Sequence, residues 1–158
     1  MKSKKFEIRP IGIIRSPYRD KDECPVQGRA VPDAKGLVEI YPEFEEALQD
    51  IESFTHIILL YIFDRAGKIL LTRKPFLDDR PHGIFATRHP CRPNNIGLSI
   101  VKLERRMKNI LEVIEIDVLD NTPLIDIKPY VPKFDFRENA GNGWVENPGF
   151  RKKPSDRE

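Results

Sequence analysis

The densest cluster of chemically capable side chains lies in one loop, residues 86–97. It carries two arginines, Arg88 and Arg92, together with a histidine, a cysteine and two asparagines. An arginine presents a planar pair of N–H donors that matches the oxygens of a carboxylate or a phosphate. The pattern therefore predicts an anion-binding loop. The alternative is a structural loop whose arginines cap backbone carbonyls.

A second polar stretch, residues 117–130, carries three carboxylates. Asp120 and Asn121 are residue types that suit a turn, and turn formation is the alternative to a functional role for both. Asp126 lies between two isoleucines of an apolar run, where a carboxylate needs a partner. Lys128 is two residues further on and shares its strand face, so we expect the two to pair. A shorter stretch, residues 24–28, lies in a long first loop.

Charge is unevenly distributed along the chain. The total of 27 basic and 25 acidic residues leaves a net charge of +2, which by itself predicts no partner. Residues 39–52 contain six acids and no base, whereas residues 65–92 contain seven bases and two acids. Such a basic stretch predicts contacts with phosphate, as in nucleic-acid binding. The alternative is a solvated surface whose bases pair with the acidic segment.

Several other chemistries are excluded by the motifs. The chain has no GxGxxG, no GxxxxGK[ST] and no GxSxG, which argues against a Rossmann fingerprint, a P-loop and a hydrolase nucleophile. Its three histidines and two cysteines lack zinc-ligand spacing, so we expect no metal site. The two cysteines form no disulfide framework, and the longest apolar run, residues 57–63, is too short to span a membrane. We expect a cytoplasmic protein.

The hydrophobic pattern predicts the elements that position these loops. Alternating or β-branched runs predict strands over residues 6–16, 37–40, 98–106, 110–118 and 124–127. A continuous apolar run over residues 54–63 predicts a central strand covered on both faces. Pro42 followed by apolar residues at helical spacing predicts one short amphipathic helix ending near Ile51. Long loops fill residues 17–36 and 72–82, and a hairpin is expected around Met107.

Many strands with a single helix, and no alternation of strand and helix, predict the fold class. We expect a mostly β protein, a small single-domain β-barrel with one or two short helices and long proline-rich loops. The 14 prolines lie in the polar stretches at strand ends. We expect the barrel domain to span residues 1–132. Residues 133–158 are polar and contain the lone Trp144, which predicts a C-terminal tail that is either docked or mobile.

Three segments together resemble the TsaA-like family, also described as UPF0066 or YaeB-like. They are residues 11–18 (IGIIRSPY), residues 83–99 (GIFATR followed by RPNNIGLS) and residues 120–130 (DNTPLIDIKPY). The resemblance covers about residues 6–132. It implies a methyltransferase that uses S-adenosylmethionine, is built on a small β-barrel and works as a homodimer. Its substrate would be the N6 atom of threonylcarbamoyladenosine next to the anticodon, in the anticodon stem-loop of tRNA.

The resemblance also implies roles for individual residues. The cofactor contacts would be Val26, Gln27, Gly28, Asp64, Arg65, Arg88, Leu98, Leu119, Asp120, Asn121 and Thr122. Asp120 and Asp126 are the candidate bases that would remove the proton from the acceptor nitrogen. The basic stretch itself supplies the expected RNA contacts, Arg92, Arg73 and Lys74.

Two other functions stay open on the sequence. One is a non-catalytic module that binds tRNA or a nucleotide on the same barrel. Bacterial members typically have His-Gln where this chain has Asp64-Arg65, and this difference keeps that alternative open. The other is a methyltransferase that keeps the cofactor site and acts on a different acceptor.

Overall fold

A computed structural model describes residues 3–75 and 78–146 of the chain, and antiparallel strands dominate it. The strands are β1 (Gly12–Arg15), β2 (Lys35–Ile40), β3 (His56–Ile62), β4 (Thr72–Arg73), β5 (His82–Gly83), β6 (Ile96–Met107), β7 (Ile110–Ile114) and β8 (Thr122–Pro129). One four-residue α-helix, α1 (Pro132–Asp135), follows β8. Short 3-10 helices occupy Gly28–Ala30, Pro42–Leu48, Ile51–Ser53, Ile84–Ala86 and Gly143–Glu146.

Six of these strands close into a barrel. Their order around it is β1-β2-β7-β6-β3-β8, and every neighbouring pair is antiparallel. Closure leaves the barrel without a free sheet edge. Strands β4 and β5 pair with each other as a separate two-stranded sheet. The predicted fold class, a small mostly β barrel with short helices, is confirmed.

The core fills the inside of this barrel. Along β3 the buried side chains are Ile57, Leu59 and Tyr61, and the residues between them are half-exposed. The prediction that this strand is covered on both faces is therefore wrong. A sheet that closes on itself has one interior, and successive side chains point to opposite faces. The outer face of β3 consequently receives no second layer from the described residues.

Two other predicted elements differ from the structure. The first strand begins at Gly12 rather than at residue 6, and Phe6 is 84% exposed. Just before the strand, Ile11 makes backbone bonds to Leu124 and Tyr41. The predicted amphipathic helix is instead two 3-10 segments, Pro42–Leu48 and Ile51–Ser53. Asp50 separates them with a left-handed backbone (φ 68°), which an α-helix does not accommodate. The expected apolar side chains, such as Leu48, nevertheless pack on the core.

The strand order assigns the connections to two ends of the barrel. We call the first the loop end: it carries the β1–β2 connection (16–34), the β3–β6 connection (63–95) and the β7–β8 connection (115–121). We call the second the turn end: it carries the β2–β3 connection (41–55) and the two-residue β6–β7 turn (108–109). Because all neighbours are antiparallel, the three sequence stretches with candidate chemistry begin or end at the loop end.

The C-terminal segment contacts the β3–β6 connection. Trp144 donates its indole N–H to the Ala86 carbonyl oxygen over 2.8 Å. Its ring stacks on His82, with centroids 4.5 Å apart. The last part of the predicted tail, residues 147–158, lies outside the described residues. None of the helices in the described ranges has the length and hydropathy to cross a membrane.

Candidate functional site

Two connections meet in a corner at the loop end of the barrel. Arg88, from the β3–β6 connection, donates from its guanidinium to Gln27 Oε1 over 3.0 Å. The next residue, Gly28, donates its backbone N–H to Asp117 Oδ2 over 2.8 Å. Three of the predicted cofactor residues are therefore brought together, and Asp117 anchors them to the β7–β8 connection. We call Gln27, Gly28, Arg88 and Asp117 the corner.

Only glycine fits at position 28 of the corner. A Cβ atom added there would lie 1.7 Å from the carbonyl oxygen of Glu115, which is backbone and cannot rotate away. Glu115 itself has a left-handed backbone with φ of 68°, a conformation that a residue with a side chain adopts rarely. The close approach of these two segments is what brings the Gly28 N–H within reach of Asp117.

Asp117 points into the barrel, where it ends a chain of hydroxyl groups. Its Oδ1 atom accepts a hydrogen bond from Ser99, whose Oγ lies 2.8 Å from the hydroxyl oxygen of Tyr61. Burial raises the pKa of the Asp117 carboxyl, and its bonds to Ser99 and Gly28 partly oppose that effect. Burial likewise raises the pKa of Tyr61, so this hydroxyl stays protonated.

Sequence reasoning missed Asp117 as a functional candidate. It stands between Ile116 and Val118, within the run that was predicted as a strand. A carboxylate in an apolar run needs a partner, and this holds for Asp117 as it does for Asp126. Applied to Asp117, this requirement points to the buried group that the structure shows.

A second group of predicted residues meets beside β8. Arg65 donates to the Thr122 hydroxyl over 2.9 Å, and that hydroxyl donates to the Leu119 carbonyl over 2.7 Å. The Arg65 guanidinium also contacts the Asp64 carboxylate at 3.2 Å. The Asp64-Arg65 pair therefore lies against the predicted segment 119–122. Val26 is 38% exposed next to Gln27.

Asp120 and Asn121 shape the β7–β8 connection. Asp120 Oδ1 accepts the Ser16 backbone N–H at 3.1 Å, and the Asp120 N–H donates to the Tyr18 carbonyl at 2.7 Å. Asn121 has a left-handed backbone (φ 64°), and its side-chain oxygen accepts a bond from Arg15. These bonds fit the turn-forming alternative for both residues, and they also fix Asp120 at the loop end.

Two predicted site residues lie away from the corner. Leu98 is 40% exposed on the outer face of β6, because its neighbour Ser99 points inward. Asp126 lies opposite Leu60 on the neighbouring strand, and Leu60 in turn lies opposite Leu98. All three are therefore on the outer face of the barrel. The Asp126 carboxylate lies 3.2 Å from Lys128 Nζ, so the expected ion pair is confirmed.

The basic stretch separates into bases that hold loops and bases that face outward. Arg92 donates to the carbonyls of Thr87 and His89, as the structural alternative for this loop describes. Lys74 is exposed, and Arg73 is half-buried on β4. Their roles as RNA contacts remain predictions.

The ion pairs do not link the basic stretch to the acidic segment as the alternative proposed. Within the described residues, Arg65 pairs with Asp64 and Arg80 with Asp78. The acidic side pairs elsewhere, since Glu39 contacts Arg15 and Glu52 contacts Arg106. None of these ion pairs therefore joins the basic stretch to the acidic segment.

An open groove of about 710 Å³ runs along the barrel wall and reaches the β1–β2 connection at Ser16, Pro17 and Asp33. Its lining comes mainly from β2, β6 and β7 and includes Arg105 and Glu112, which pair with each other. These charges are already matched. Arg88, Gln27 and Asp117 do not line it, so we place the candidate site at the loop end.

The described geometry agrees with a known class of protein. The model of the family described as tRNA-methyltransferase O N-terminal domain matches residues 13–136. The chain belongs to this family.

Individual relatives are similar over most of this chain. A Pyrococcus abyssi protein called probable S-adenosyl-L-methionine-binding protein is 54% identical, over 87% of this chain and 75% of its own length. The Escherichia coli tRNA (adenine(37)-N6)-methyltransferase is 36% identical, over 90% of this chain and 65% of its own length. The crystal structure of TrmO from Pseudomonas aeruginosa superposes with a TM-score of 0.77 at 39% identity. The match covers 93% of this chain and 64% of the P. aeruginosa chain, so this chain spans about two thirds of that protein's length.

Proposed function

We propose that this protein is an S-adenosylmethionine-dependent tRNA methyltransferase that methylates N6 of threonylcarbamoyladenosine next to the anticodon. The observation that carries the proposal is the corner, in which two predicted cofactor segments meet through Arg88 and Gln27. Membership of the tRNA-methyltransferase O family supports it. The names of the relatives from P. abyssi and E. coli support the cofactor and the class of substrate.

The donor set of the corner fits this cofactor. The methionine part of S-adenosylmethionine ends in a carboxylate, which suits the fork of an exposed guanidinium such as that of Arg88. The cofactor carries a net positive charge, and Asp117 supplies a nearby carboxylate. The group Asp64, Arg65 and Thr122 offers polar atoms for the remaining contacts. When bound, the cofactor supplies a methyl group on a sulfonium sulfur.

The residues of this chain would orient the acceptor and take its proton. The N6 lone pair of threonylcarbamoyladenosine is delocalised into a carbonyl, so the nitrogen needs its proton removed before attack. Of the two candidate bases, Asp120 lies at the loop end, where Ser16 N–H orients its carboxylate. Asp126 is on the outer wall and paired with Lys128. We therefore propose Asp120 as the base.

Substitution of Arg88 tests the cofactor site. In Arg88→Ala the affinity for S-adenosylmethionine should fall roughly 10- to 100-fold, because a charge-assisted hydrogen bond is lost. Isothermal titration measures it. The matched control is Arg80→Ala, an exposed arginine of the same connection that pairs with Asp78. Equal affinity for S-adenosylmethionine in wild type and Arg88→Ala would show that Arg88 does not bind the cofactor.

A nucleoside mass spectrum tests the reaction itself. The substrate is tRNA that carries threonylcarbamoyladenosine without its methyl group, incubated with the protein and S-adenosylmethionine. We expect the mass gain of one methyl on that nucleoside alone. Tight tRNA binding without a mass gain would favour the non-catalytic module. A methyl gain on another nucleoside would favour the alternative acceptor.

We also propose that the protein acts as a homodimer. The outer faces of β3 and β6 form an apolar patch, made of Ile58, Leu60, Ile62, Ile96, Leu98 and Ile100. Contiguous exposed apolar patches of this kind mark interaction sites. Leu98 belongs to the patch, whereas Ser99 points to Asp117. A second copy against the patch would let Leu98 reach the cofactor site of its partner.

Charge placed in the patch tests the dimer. Ile100→Glu should shift the protein from dimer to monomer in light scattering and weaken S-adenosylmethionine binding, since each site would lose the partner's Leu98. Met107→Glu is the matched control, because Met107 is exposed on the same strand at the turn end. A wild-type monomer would contradict the homodimer proposal.

The cellular compartment and the RNA contacts complete the proposal. Cys24 and Cys91 are not joined in a disulfide, which fits the reducing cytosol. A tRNA partner fits the basic β3–β6 connection, where Lys74 and Arg88 are exposed. A binding constant for tRNA that does not change with salt would contradict a role for this charge.

A further inference from the structure

Asp117 fastens the β1–β2 connection to the inside of the barrel at two points. Its carboxylate accepts the Gly28 backbone N–H at 2.8 Å, and its backbone carbonyl accepts a hydrogen bond from the Cys24 thiol at 3.0 Å. Its second carboxylate oxygen bonds to Ser99, which is 3% exposed. The segment between the two anchored residues carries Gln27, the hydrogen-bond partner of Arg88.

The directions of these hydrogen bonds follow from the chemistry of the groups. An ionised carboxylate only accepts, so the Ser99 hydroxyl donates to Asp117. The Ser99 oxygen then accepts from the Tyr61 hydroxyl, 2.8 Å away. Asp117 thus takes one donor from the barrel interior and one from the backbone of the first loop, and it joins the two.

We propose that Asp117 is a positioning residue for the cofactor, whose negative charge holds Gly28, and through it Gln27 and Arg88, in the arrangement that binds S-adenosylmethionine. The inference rests on the proposed function and adds a residue to it. Asp117 does not itself contact the cofactor. It acts through the N–H of Gly28 and through its attraction for the Arg88 guanidinium, which partly opposes the rise that burial causes in the pKa of the Asp117 carboxyl.

Stability alone does not explain a charge at this position. Burial is the largest influence on Asp117 and raises its pKa above the ordinary value. The folded protein therefore binds this proton more tightly than the unfolded chain. By linkage, the contribution of Asp117 to the free energy of unfolding is fully present below its unfolded pKa. It is lost as the pH rises through the raised pKa of the folded state. A neutral group of the same shape should fold at least as well.

The groups that face Asp117 come from several elements. Tyr18 and Cys24 face it from the β1–β2 connection, Tyr61 from β3, and Arg88 from the β3–β6 connection. Burial raises the pKa of Tyr18, and Asp117 contributes to that rise. Arg88 is the cation among them, so protonating Asp117 removes a nearby counter-charge of Arg88.

Asparagine separates the charge from the shape. In Asp117→Asn the amide oxygen can still accept the Gly28 N–H, and the amide nitrogen can donate to the Ser99 oxygen. The hydrogen-bonded frame is kept while the attraction for Arg88 is lost. We expect a melting temperature at or above that of wild type, together with an affinity for S-adenosylmethionine that is about tenfold weaker. If the carboxylate were purely structural, Asp117→Asn would melt at a lower temperature than wild type.

The test compares three proteins by thermal unfolding and by isothermal titration with S-adenosylmethionine. They are wild type, Asp117→Asn and the control Asp22→Asn, an exposed aspartate of the same connection. We expect the control to behave as wild type in both measurements. Titrations at a series of pH values from neutral into the acid range provide an independent readout. Wild-type affinity should weaken as the pH falls, because Asp117 takes up a proton, and this contribution should be missing from Asp117→Asn.

Two outcomes would overturn the inference alone. In one, wild type and Asp117→Asn bind S-adenosylmethionine equally well with the same pH profile. In the other, Asp117→Asn unfolds at a clearly lower temperature or does not fold, which would make Asp117 a structural residue. A wild-type protein that does not bind S-adenosylmethionine would instead contradict the proposed function, and with it this inference. That result appears in the first titration, before any variant is measured.

Discussion

The two ends of the barrel are held together by different kinds of hydrogen bond. At the turn end there are local backbone bonds, such as Phe44 N–H to the Tyr41 carbonyl. Long-range side-chain bonds also occur there, and those of Arg106 and Asn109 reach the backbone carbonyls of Leu48 and Ile40. At the loop end the decisive bonds involve side chains far apart in sequence. Gly28 and Asp117 are 89 residues apart, and Gln27 and Arg88 are 61 apart.

This difference shows where the protein keeps its chemistry. At the turn end the bonds of Arg106 and Asn109 end on backbone carbonyls, and the acidic side chains of Glu43, Glu46 and Glu52 remain on the surface or half-exposed. The loop end depends on side-chain groups to hold its connections in place, and those groups are the polar ones of the candidate site. A substitution at the loop end should therefore change the arrangement of the site, whereas one at the turn end should change only stability.

Gly28→Ala should have the largest effect. The added Cβ would collide with the Glu115 carbonyl oxygen, so the first connection could not approach Asp117. We expect a loss of about 1–3 kcal/mol in unfolding free energy from the steric conflict. Binding of S-adenosylmethionine should weaken by more than about tenfold, because the corner would no longer form. Urea unfolding and isothermal titration measure the two effects.

Gly83→Ala provides the matched control for Gly28→Ala. Gly83 also lies at the loop end, in the β3–β6 connection, but nothing lies within 4 Å of a Cβ added there. Both measurements should stay close to wild type. If Gly28→Ala also bound the cofactor normally, the close approach of the two connections would not matter for the site.

Arg106→Ala should separate stability from binding at the turn end. The Arg106 guanidinium donates to the Lys108 carbonyl at 2.7 Å and to the Leu48 carbonyl at 3.2 Å, and it contacts Glu52. Its loss should lower the unfolding free energy by about 1–2 kcal/mol. S-adenosylmethionine affinity should not change.

The neighbouring Arg105→Ala is the comparison for Arg106→Ala. Arg105 is on the exposed outer wall and pairs only with Glu112 among the described contacts, so its loss should cost less stability. Weakened cofactor binding in Arg106→Ala would contradict the independence of the two ends.

Much of the fold could be predicted because its dominant signal is local. The alternation of β6 and β7 and the turn between them are visible in the sequence, and the barrel follows from many strands with little helix. The errors lie where tertiary context decides. The apolar run of β3 does not reveal that its outer face, with Leu60, stays half-exposed. Helical spacing from Pro42 onward does not reveal that Asp50 interrupts the helix.

The candidate site was predictable in its segments and less so in its partners. The resemblance placed Gln27, Gly28 and Arg88 in one site, and the structure brings them together. Their anchor, Asp117, was missed because it stands beside the turn residues that drew attention. Leu98 could not be assigned to a face until its register with Leu60 was known. Partners across the barrel depend on closure, which no local pattern encodes.

A carboxylate on the outside of the barrel and one pointing into it should respond to pH with opposite sign, and this is the smallest effect we expect. Arg105 lowers the pKa of the exposed Glu112 on β7, whereas burial raises that of Asp117. The Glu112 contribution is present above its unfolded pKa and is lost as the pH falls through the folded one. Glu112→Gln should therefore slightly reduce unfolding free energy near neutral pH and change it little in acid.

The Asp117→Asn variant should show the reverse trend. Its stability relative to wild type should be greatest near neutral pH, where Asp117 is ionised, and should shrink as the pH falls. Urea unfolding at a series of pH values measures both trends. In an Arg105→Ala background, Glu112→Gln should lose its pH-dependent effect, because the partner that lowers the pKa is gone. If the two variants showed the same change of stability with pH, Asp117 and Glu112 would not have pKa values shifted in opposite directions by their surroundings.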